Sequence, residues 1–217
     1  MKQFAVIGLG RFGSSVARTL AKMGYEVLAI DGDEERVNDI AEDVTCAEQV
    51  NVLEEKALKS LGLRNFDTVI VAIGQEIKAS ILVTVMLKEM GVSRIVTKAM
   101  DELHGRVLEK VGADIVVFPE RDMGVRLAHT LVSRNIIDQI HLSSDYSIVE
   151  LIAPAKFAGE TLERLALRQK YGVTVMAIRR GGDIIISPGA RQVIAEGDVL
   201  VVIGRDEKLE KLEKLEG

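Results

Sequence analysis

The amino-acid sequence predicts an α/β protein, a doubly wound parallel sheet followed by a small α+β module at its C-terminal end. Two observations carry this. From the first residues to about 134, short β-branched runs alternate with longer segments of helical period. Several of these runs are apolar throughout, as in TVIVAI at 68–73, which suits strands covered on both faces by helices. Beyond 134 the rhythm changes to closely spaced strands, a Gly-Gly pair and short helical stretches, which no longer fits βαβ units.

In the first part, strands are expected at 4–7, 26–30, 45–47, 68–73, 94–98 and 114–118, with helices at 11–23, 76–90 and 101–111. Those helices close on Gly24, Gly91 and Gly112, residues that accept the left-handed conformation of a C-terminal cap. Six parallel strands with intervening helices make a Rossmann-like sheet. Pro119 stops the sixth strand and Glu120 opens a helix with Met123, Leu127, Thr130 and Leu131 on one stripe. A polar connector at 143–146 then leads to strands at 147–152, 173–179, 184–187 and 199–203, a helix at 161–170 and a charged helix from Asp206. Gly181-Gly182 fits the turn of a hairpin. The expected domains are therefore 1–134 and 135–217.

At 217 residues, 47% hydrophobic and with three prolines, the chain can bury two cores without disulfide staples. A net charge of −5 leaves no basic surplus to neutralise a phosphate backbone, so nucleic acid is not an expected partner. The longest uncharged apolar run, at 79–87, falls far short of the roughly 20 residues of a spanning helix. Lys2 and Gln3 lead straight into a strand rather than into a signal core. Cys46 is the single cysteine, so no intrachain disulfide forms and a reducing cytoplasm is the expected compartment.

The chemical signal is GLGRFG, comprising Gly8, Leu9, Gly10, Arg11, Phe12 and Gly13, between the first strand and the first helix. There the first glycine makes the tight turn, the second lets a phosphate approach the backbone, and the third lets helix and strand pack closely. The helix N-terminus offers free N–H groups and partial positive charge. A glycine-rich turn that binds nothing is the plain alternative. Asp31, followed by Gly32, ends the second strand where a carboxylate accepts hydrogen bonds from ribose hydroxyls and repels a 2′-phosphate, which disfavours NADP. Capping of the next helix, the role also open to Asp33, is the alternative for Asp31.

The ends of later strands face the same crevice. They bring Asn51 and Val52 toward the adenine, Ala72, Ile73 and Gly74 under the nucleotide, and Lys98 toward its phosphates. Arg11 places a guanidinium within reach of a terminal phosphate and hints at ATP or ADP sensing, although an exposed arginine at a helix start fits equally. Glu120 lies near the crevice, where it could hold a divalent cation bridging phosphates; as an acidic residue in a first helical turn it also simply complements the dipole.

No catalytic set accompanies these residues. His104, His129 and His141 lack metal-site spacing, no serine stands in a nucleophile elbow, and Cys46 has no partner. A nicotinamide enzyme needs a proton donor or acceptor beside the ring, usually on a sizeable second domain, and the C-terminal module is small. A small NAD-dependent oxidoreductase remains the competing function, and a stand-alone nucleotide sensor a third.

With these motifs placed, the chain resembles the RCK-domain regulators of bacterial potassium uptake, the KtrA and TrkA family, with the KtrA branch nearest. The resemblance rests on VIGLGRFG at 6–13, SLGLRNFDTVIVAIG at 60–74, VLEKVGAD at 107–114, PERDMGVRLA at 119–128 and DYSIVELIAP at 145–154. KYGVTVMAI at 170–178, then ISPGA and EGDVLVVIG, complete it over essentially the whole chain. It implies dimers assembled into an octameric ring on the cytoplasmic face of a potassium-conducting membrane subunit of the KtrB or TrkH kind, with ATP favouring conduction and ADP the inactive state. By resemblance, 8–13 cradle the phosphates, Asp31 holds the ribose, Arg11 reads the γ-phosphate, and Glu120 coordinates a divalent cation or sodium near a dimer interface. NAD(H) is a further candidate for the cleft. Asn51-Val52 departs from the family's frequent acidic-or-Asn residue followed by alanine. Some relatives bind cyclic di-AMP between paired C-terminal modules; Ile178, Arg180, Ile186 and Pro188 lie in a suitable region, which an ordinary hydrophobic dimer face explains as well.

Overall fold

A computed structural model describes residues 2–132, 136–143 and 145–215, with only the backbone given for His129, Thr130, Val132, Ile136, His141 and Glu213. The expected domain boundary at 134/135 and the side chains of His129, Thr130 and His141 lie outside the described residues. The chain divides into two compact units, Met1–Asp122 and Met123–Gly217.

In the first unit, β1 (Gln3–Ile7), β2 (Glu26–Asp31), β3 (Cys46–Gln49), β4 (Thr68–Val71), β5 (Ile95–Lys98) and β6 (Ile115–Val117) form a parallel sheet. The helices are α1 (Arg11–Lys22), α2 (Glu34–Ile40), α3 (Glu55–Ser60), α4 (Ile77–Glu89) and α5 (Glu102–Val111); α6 (Pro119–Val132) follows β6. The strand order β3-β2-β1-β4-β5-β6 reverses direction between β1 and β4, which opens a crevice at the carboxyl ends of those strands. The alternation of side chains along β1 serves two cores at once. Ala5 and Ile7 join Leu28, Ile30, Val69, Val71, Val83 and Leu87 on one face. Val6 joins Ala17, Ala29, Val37, Ile40 and Ile70 on the other. Two-faced burial is why these strands read as unbroken apolar runs.

The helix starts have visible causes. Asp33 Oδ1 accepts from the amides of Glu35 and Arg36 to cap α2, and Asp101 Oδ1 accepts from His104 N–H to cap α5. Gly112, at φ +115°, ends α5 in the left-handed conformation expected of it.

In the second unit, β7 (Ile136–His141), β8 (Tyr146–Ile152), β9 (Thr174–Arg180), β10 (Asp183–Ile186) and β11 (Val199–Arg205) form an antiparallel sheet of order β10-β9-β11-β8-β7. Short helices α7 (Leu162–Leu165) and α8 (Leu167–Tyr171) and the terminal α9 (Asp206–Glu213) accompany it. Val149, Leu151, Ile178, Leu200 and Val202 form its core with Phe157, Ile194 and Leu209. Two features differ from the sequence reading. Strand β7, which the sequence reading does not place, precedes the polar connector at 143–146 and pairs with β8. The helix expected at 161–170 is two, because Ala166 adopts φ +48° between them. Buried Asp198 accepts two hydrogen bonds from Arg180, at 2.8 and 2.7 Å, and one from Ala195 N–H at 2.8 Å.

Candidate functional site

The loop between β1 and α1 is fixed from three sides. Gly8, at φ +95°, is held by its N–H donating to Ile30 O at 2.8 Å, and a Cβ there would stand 3.0 Å from the carbonyl carbon of Ala72. Gly13 is buried where a Cβ would lie 1.8 Å from Gly8 O. Ser14 Oγ donates to Leu9 O at 2.7 Å. The first glycine and the third are thus demanded by backbone contact, as the motif requires.

Gly10 differs. It is the N-terminal cap residue of α1, at φ −68° and ψ −177°, and a Cβ there would meet, among the described residues beyond its chain neighbours and the helix backbone, no atom within 4 Å. No side chain caps α1, and its first turn holds no acidic residue. Free N–H groups and the positive end of the helix dipole therefore meet open space.

Asp31 takes part in building the loop. Its Oδ2 accepts from Leu9 N–H at 2.6 Å and its Oδ1 from Asp33 N–H at 3.0 Å, with Arg36 Nη1 at 3.6 Å from Oδ2. Asp33, rather than Asp31, caps α2. Arg36, in the first turn of α2 and half-exposed, was not singled out from sequence. Its signal was a basic residue five positions after the strand-end carboxylate.

The cleft around this loop is lined by Gly8, Leu9, Gly10, Arg11, Phe12, Asp31, Gly32, Asn51, Val52, Ala72, Ile73, Gly74, Lys98 and Glu120. Of the residues singled out from the sequence for this crevice, Gly13 alone is not on its wall; it lies beneath, against Gly8. Ser15, Arg18, Gln75, Glu76 and Met100 are lining residues the sequence reading passed over. Arg18 is committed to Asp39 and Asp43 at 2.9 and 2.6 Å.

At the far end of β5, the Lys98 side chain is only 10% exposed, yet its Nζ donates to Glu120 Oε1 at 2.5 Å, and Glu120 is 69% exposed. Nζ also stands 5.8 Å from the centre of the Phe12 ring. The ammonium holds the Glu120 carboxyl below the usual carboxylate range, with a weaker pull from Arg11. The carboxylate is therefore ionised at neutral pH and already has a cationic partner.

Among the described residues, no group of three or more His, Cys, Asp or Glu side chains gathers to hold a metal ion. One carboxylate is a small part of an oxygen shell, so a cation at Glu120 would need donors from phosphates or from a second copy of the chain. His104 is buried with Nδ1 accepting from Met100 N–H at 3.3 Å. Cys46 is exposed on edge strand β3, 3.5 Å from Glu48 Oε1, and burial raises its thiol pKa first of all. Among the described residues no helix is long and apolar enough to cross a membrane.

Comparison with known proteins bears on the whole chain. The TrkA-N domain family matches residues 4–119 and the TrkA-C domain family residues 146–217. The chain is 50% identical to Ktr system potassium uptake protein C of Bacillus subtilis, over 98% of this chain and 96% of that one. It is 49% identical to Ktr system potassium uptake protein A of the same organism, with the same coverage. Among solved structures, the crystal structure of the GsuK RCK domain superposes with a TM-score of 0.70 at 20% identity. That likeness covers 100% of this chain and 48% of the other, so this chain spans about half its length, and it shows the shared fold.

Proposed function

The chain belongs to the TrkA family of potassium uptake proteins, with a TrkA-N and a TrkA-C domain in that order, and on that premise we propose that it is the nucleotide-sensing regulatory subunit of a potassium transporter. It is not an enzyme. The observation that carries the nucleotide part is the uncapped N-terminus of α1, open above Gly10 and flanked by Arg11 and Lys98. Backbone N–H groups, a helix dipole and two cationic side chains converge there, an arrangement that suits phosphate.

ATP or ADP is the favoured ligand, and NAD(H) the other candidate for the same cleft. Gly8 to Gly13 and Lys98 would face the phosphates, Asp31 and Gly32 the ribose, and Asn51, Val52, Ala72, Ile73 and Gly74 the nucleoside. Arg11, at the first position of α1, would read the outermost phosphate. Glu120 would contribute to a cation, divalent or sodium, whose other ligands are phosphate oxygens. Residues 1–134 would act as the sensing domain and 135–217 as a pairing module, where cyclic di-AMP is a further candidate ligand near Ile186 and Pro188. Dimers assembled into an octameric ring would work from the cytoplasm on a potassium-conducting membrane subunit. A ligand shifts such an assembly only through different affinity for its two shapes, so contacts to the last phosphate must differ between them.

Calorimetric titration of the purified chain with ATP, ADP, NADH and cyclic di-AMP tests the ligand class. Arg11→Ala should leave ADP binding in place while potassium flux in vesicles holding both subunits loses its response to ATP. An unchanged ATP response would remove Arg11 from the role given it. Turnover of a metabolite by the isolated chain would instead favour the oxidoreductase, and failure to copurify with a membrane subunit the stand-alone sensor.

A further inference from the structure

The Lys98–Glu120 pair joins two things that the nucleotide reading leaves separate: the phosphate-facing wall of the cleft and the first turn of α6. From its geometry we infer that, while no cation bridges Glu120 to the phosphates, Lys98 is an exchangeable counter-ion, held by Glu120 when the cleft is empty and surrendered to the ligand's phosphate when it fills, so that phosphate binding releases the start of α6. The inference rests on the nucleotide reading of the cleft.

Three observations support it. The ammonium is enclosed: its side chain is 10% exposed, Nζ lies 3.3 Å from where a Gly74 Cβ would be, and the centre of the Phe12 ring is 5.8 Å away. Its partner is the opposite, a carboxylate 69% exposed at the second residue of α6. When a second anion arrives, the buried member stays and the exposed one leaves, because water re-solvates an exposed carboxylate at little cost while an unpaired buried ammonium is expensive. The place of arrival is also set. Lys98 and Gly10 line the same cleft, so a phosphate on the α1 N-terminus brings like charge toward Glu120, which weakens the old pair as it makes the new one.

Among the described residues, the start of α6 is also tied to α5. Phe118 fits against Gly105, where a Cβ would stand 2.4 Å from the ring, and Arg121 stacks on Phe118 at 3.9 Å while bonding to Glu102. Losing the Glu120 contact removes this turn's ion pair with the end of β5. The chain continues along α6 to Val132, so the release falls at the exit from the sheet.

The test uses the full chain in EDTA, with adenosine, AMP and ADP as probes, and the variants Glu120→Gln, Lys98→Met and the pair of them. Calorimetry gives affinities, and amide hydrogen exchange reads residues 119–123. Glu120→Gln alone should tighten ADP about 2- to 5-fold, as expected for removal of a modest competing ion pair, and in the Lys98→Met background the same change should leave affinity essentially unaltered. ADP and AMP, but not adenosine, should speed exchange at 119–123 in the unmodified chain. In Glu120→Gln that exchange should be fast beforehand and unmoved by ADP. Lys98→Arg, which keeps the charge should Lys98→Met fold poorly, should retain the ADP effect on exchange. A tightening by Glu120→Gln that persists without Lys98 would mean simple repulsion between Glu120 and phosphate, and would overturn the exchange. So would ADP binding that leaves 119–123 unchanged. No heat from any nucleotide with any variant would instead refute the nucleotide reading itself.

Discussion

Two glycines three residues apart make a sharp experiment, because the structure assigns them different burdens. Gly13→Ala places a methyl 1.8 Å from Gly8 O and 3.0 Å from Ala72 Cβ. The obstacle is a main-chain carbonyl at the end of β1, so no side-chain rotation relieves it and α1 must move off the sheet. Overpacked sites cost about 1–3 kcal/mol, and a backbone obstacle belongs at the upper end. Better helix propensity returns about 1 kcal/mol, which leaves a net loss of about 2 kcal/mol. Among the described residues beyond its chain neighbours and the helix backbone, the methyl of Gly10→Ala meets no atom within 4 Å, so the change alters only the cap preference, at about 1 kcal/mol or less. Its methyl does occupy the approach to the free N–H groups of α1, so ADP affinity should fall at least about tenfold, or about 1.4 kcal/mol. Urea unfolding followed by circular dichroism, alongside calorimetry with ADP, separates the two effects. Gly10→Ala should fold nearly normally and bind poorly, while Gly13→Ala should lose stability as well. ADP binding to Gly10→Ala at unmodified affinity would show that phosphates do not rest on this helix end.

Further outcomes follow from single contacts. Asp31→Ala leaves the buried Leu9 N–H without its acceptor and should cost about 1–3 kcal/mol in urea unfolding even without nucleotide. Asp198→Asn keeps an acceptor for Ala195 N–H but removes the anion facing Arg180, and should destabilise the C-terminal unit by about 1–3 kcal/mol. The Arg180 guanidinium holds the Asp198 carboxyl below its ordinary value of 3.8, so this contribution is full above about pH 4 and is lost as pH falls through the lowered value. Acid titration of the Asn variant should lack that component. Burial holds His104 below its ordinary 6.5, against the pull of Asp101; just below pH 6.5 the unfolded chain therefore takes up the proton that the folded chain refuses, and stability falls with pH. His104→Gln should flatten that slope in thermal melts between about pH 5.5 and 7.5, one unit either side of the ordinary value.

Much of the first unit is legible from the sequence because its signals are local. Two-faced burial writes unbroken apolar runs into β1, β2 and β4, and Gly8, Gly10 and Gly13 sit where strand gives way to helix. The misses are equally physical. Ala166 takes a left-handed conformation without being glycine, so nothing in the sequence marks the break between α7 and α8. The strand β7 pairs out of register between Ile136 and Asp138, and that irregularity obscures the alternation that would have marked it. Of the candidate site, residues on strand ends follow from topology alone. The bond between Lys98 and Glu120, 22 positions apart, does not, since each was placed near the crevice for a separate reason and their mutual engagement needs coordinates. Arg36 escapes the sequence reading because arginines near helix starts are common, so a basic residue five positions after the strand-end carboxylate does not stand out.

The position of β1 in the middle of its sheet has a consequence for synthesis. Its residues pair with β2 on one edge and with β4 on the other, and residues from both halves of the unit, Asp31 and Ala72 among them, hold the loop that follows it. A ribosome that has released the first sixty residues has produced a strand with one edge still bare and a glycine turn with half its supports. Capture of ligand by a growing polypeptide should therefore begin abruptly, once the fourth strand has emerged and docked, and nucleotide in the surrounding solution should favour that closing step over premature association with another nascent chain.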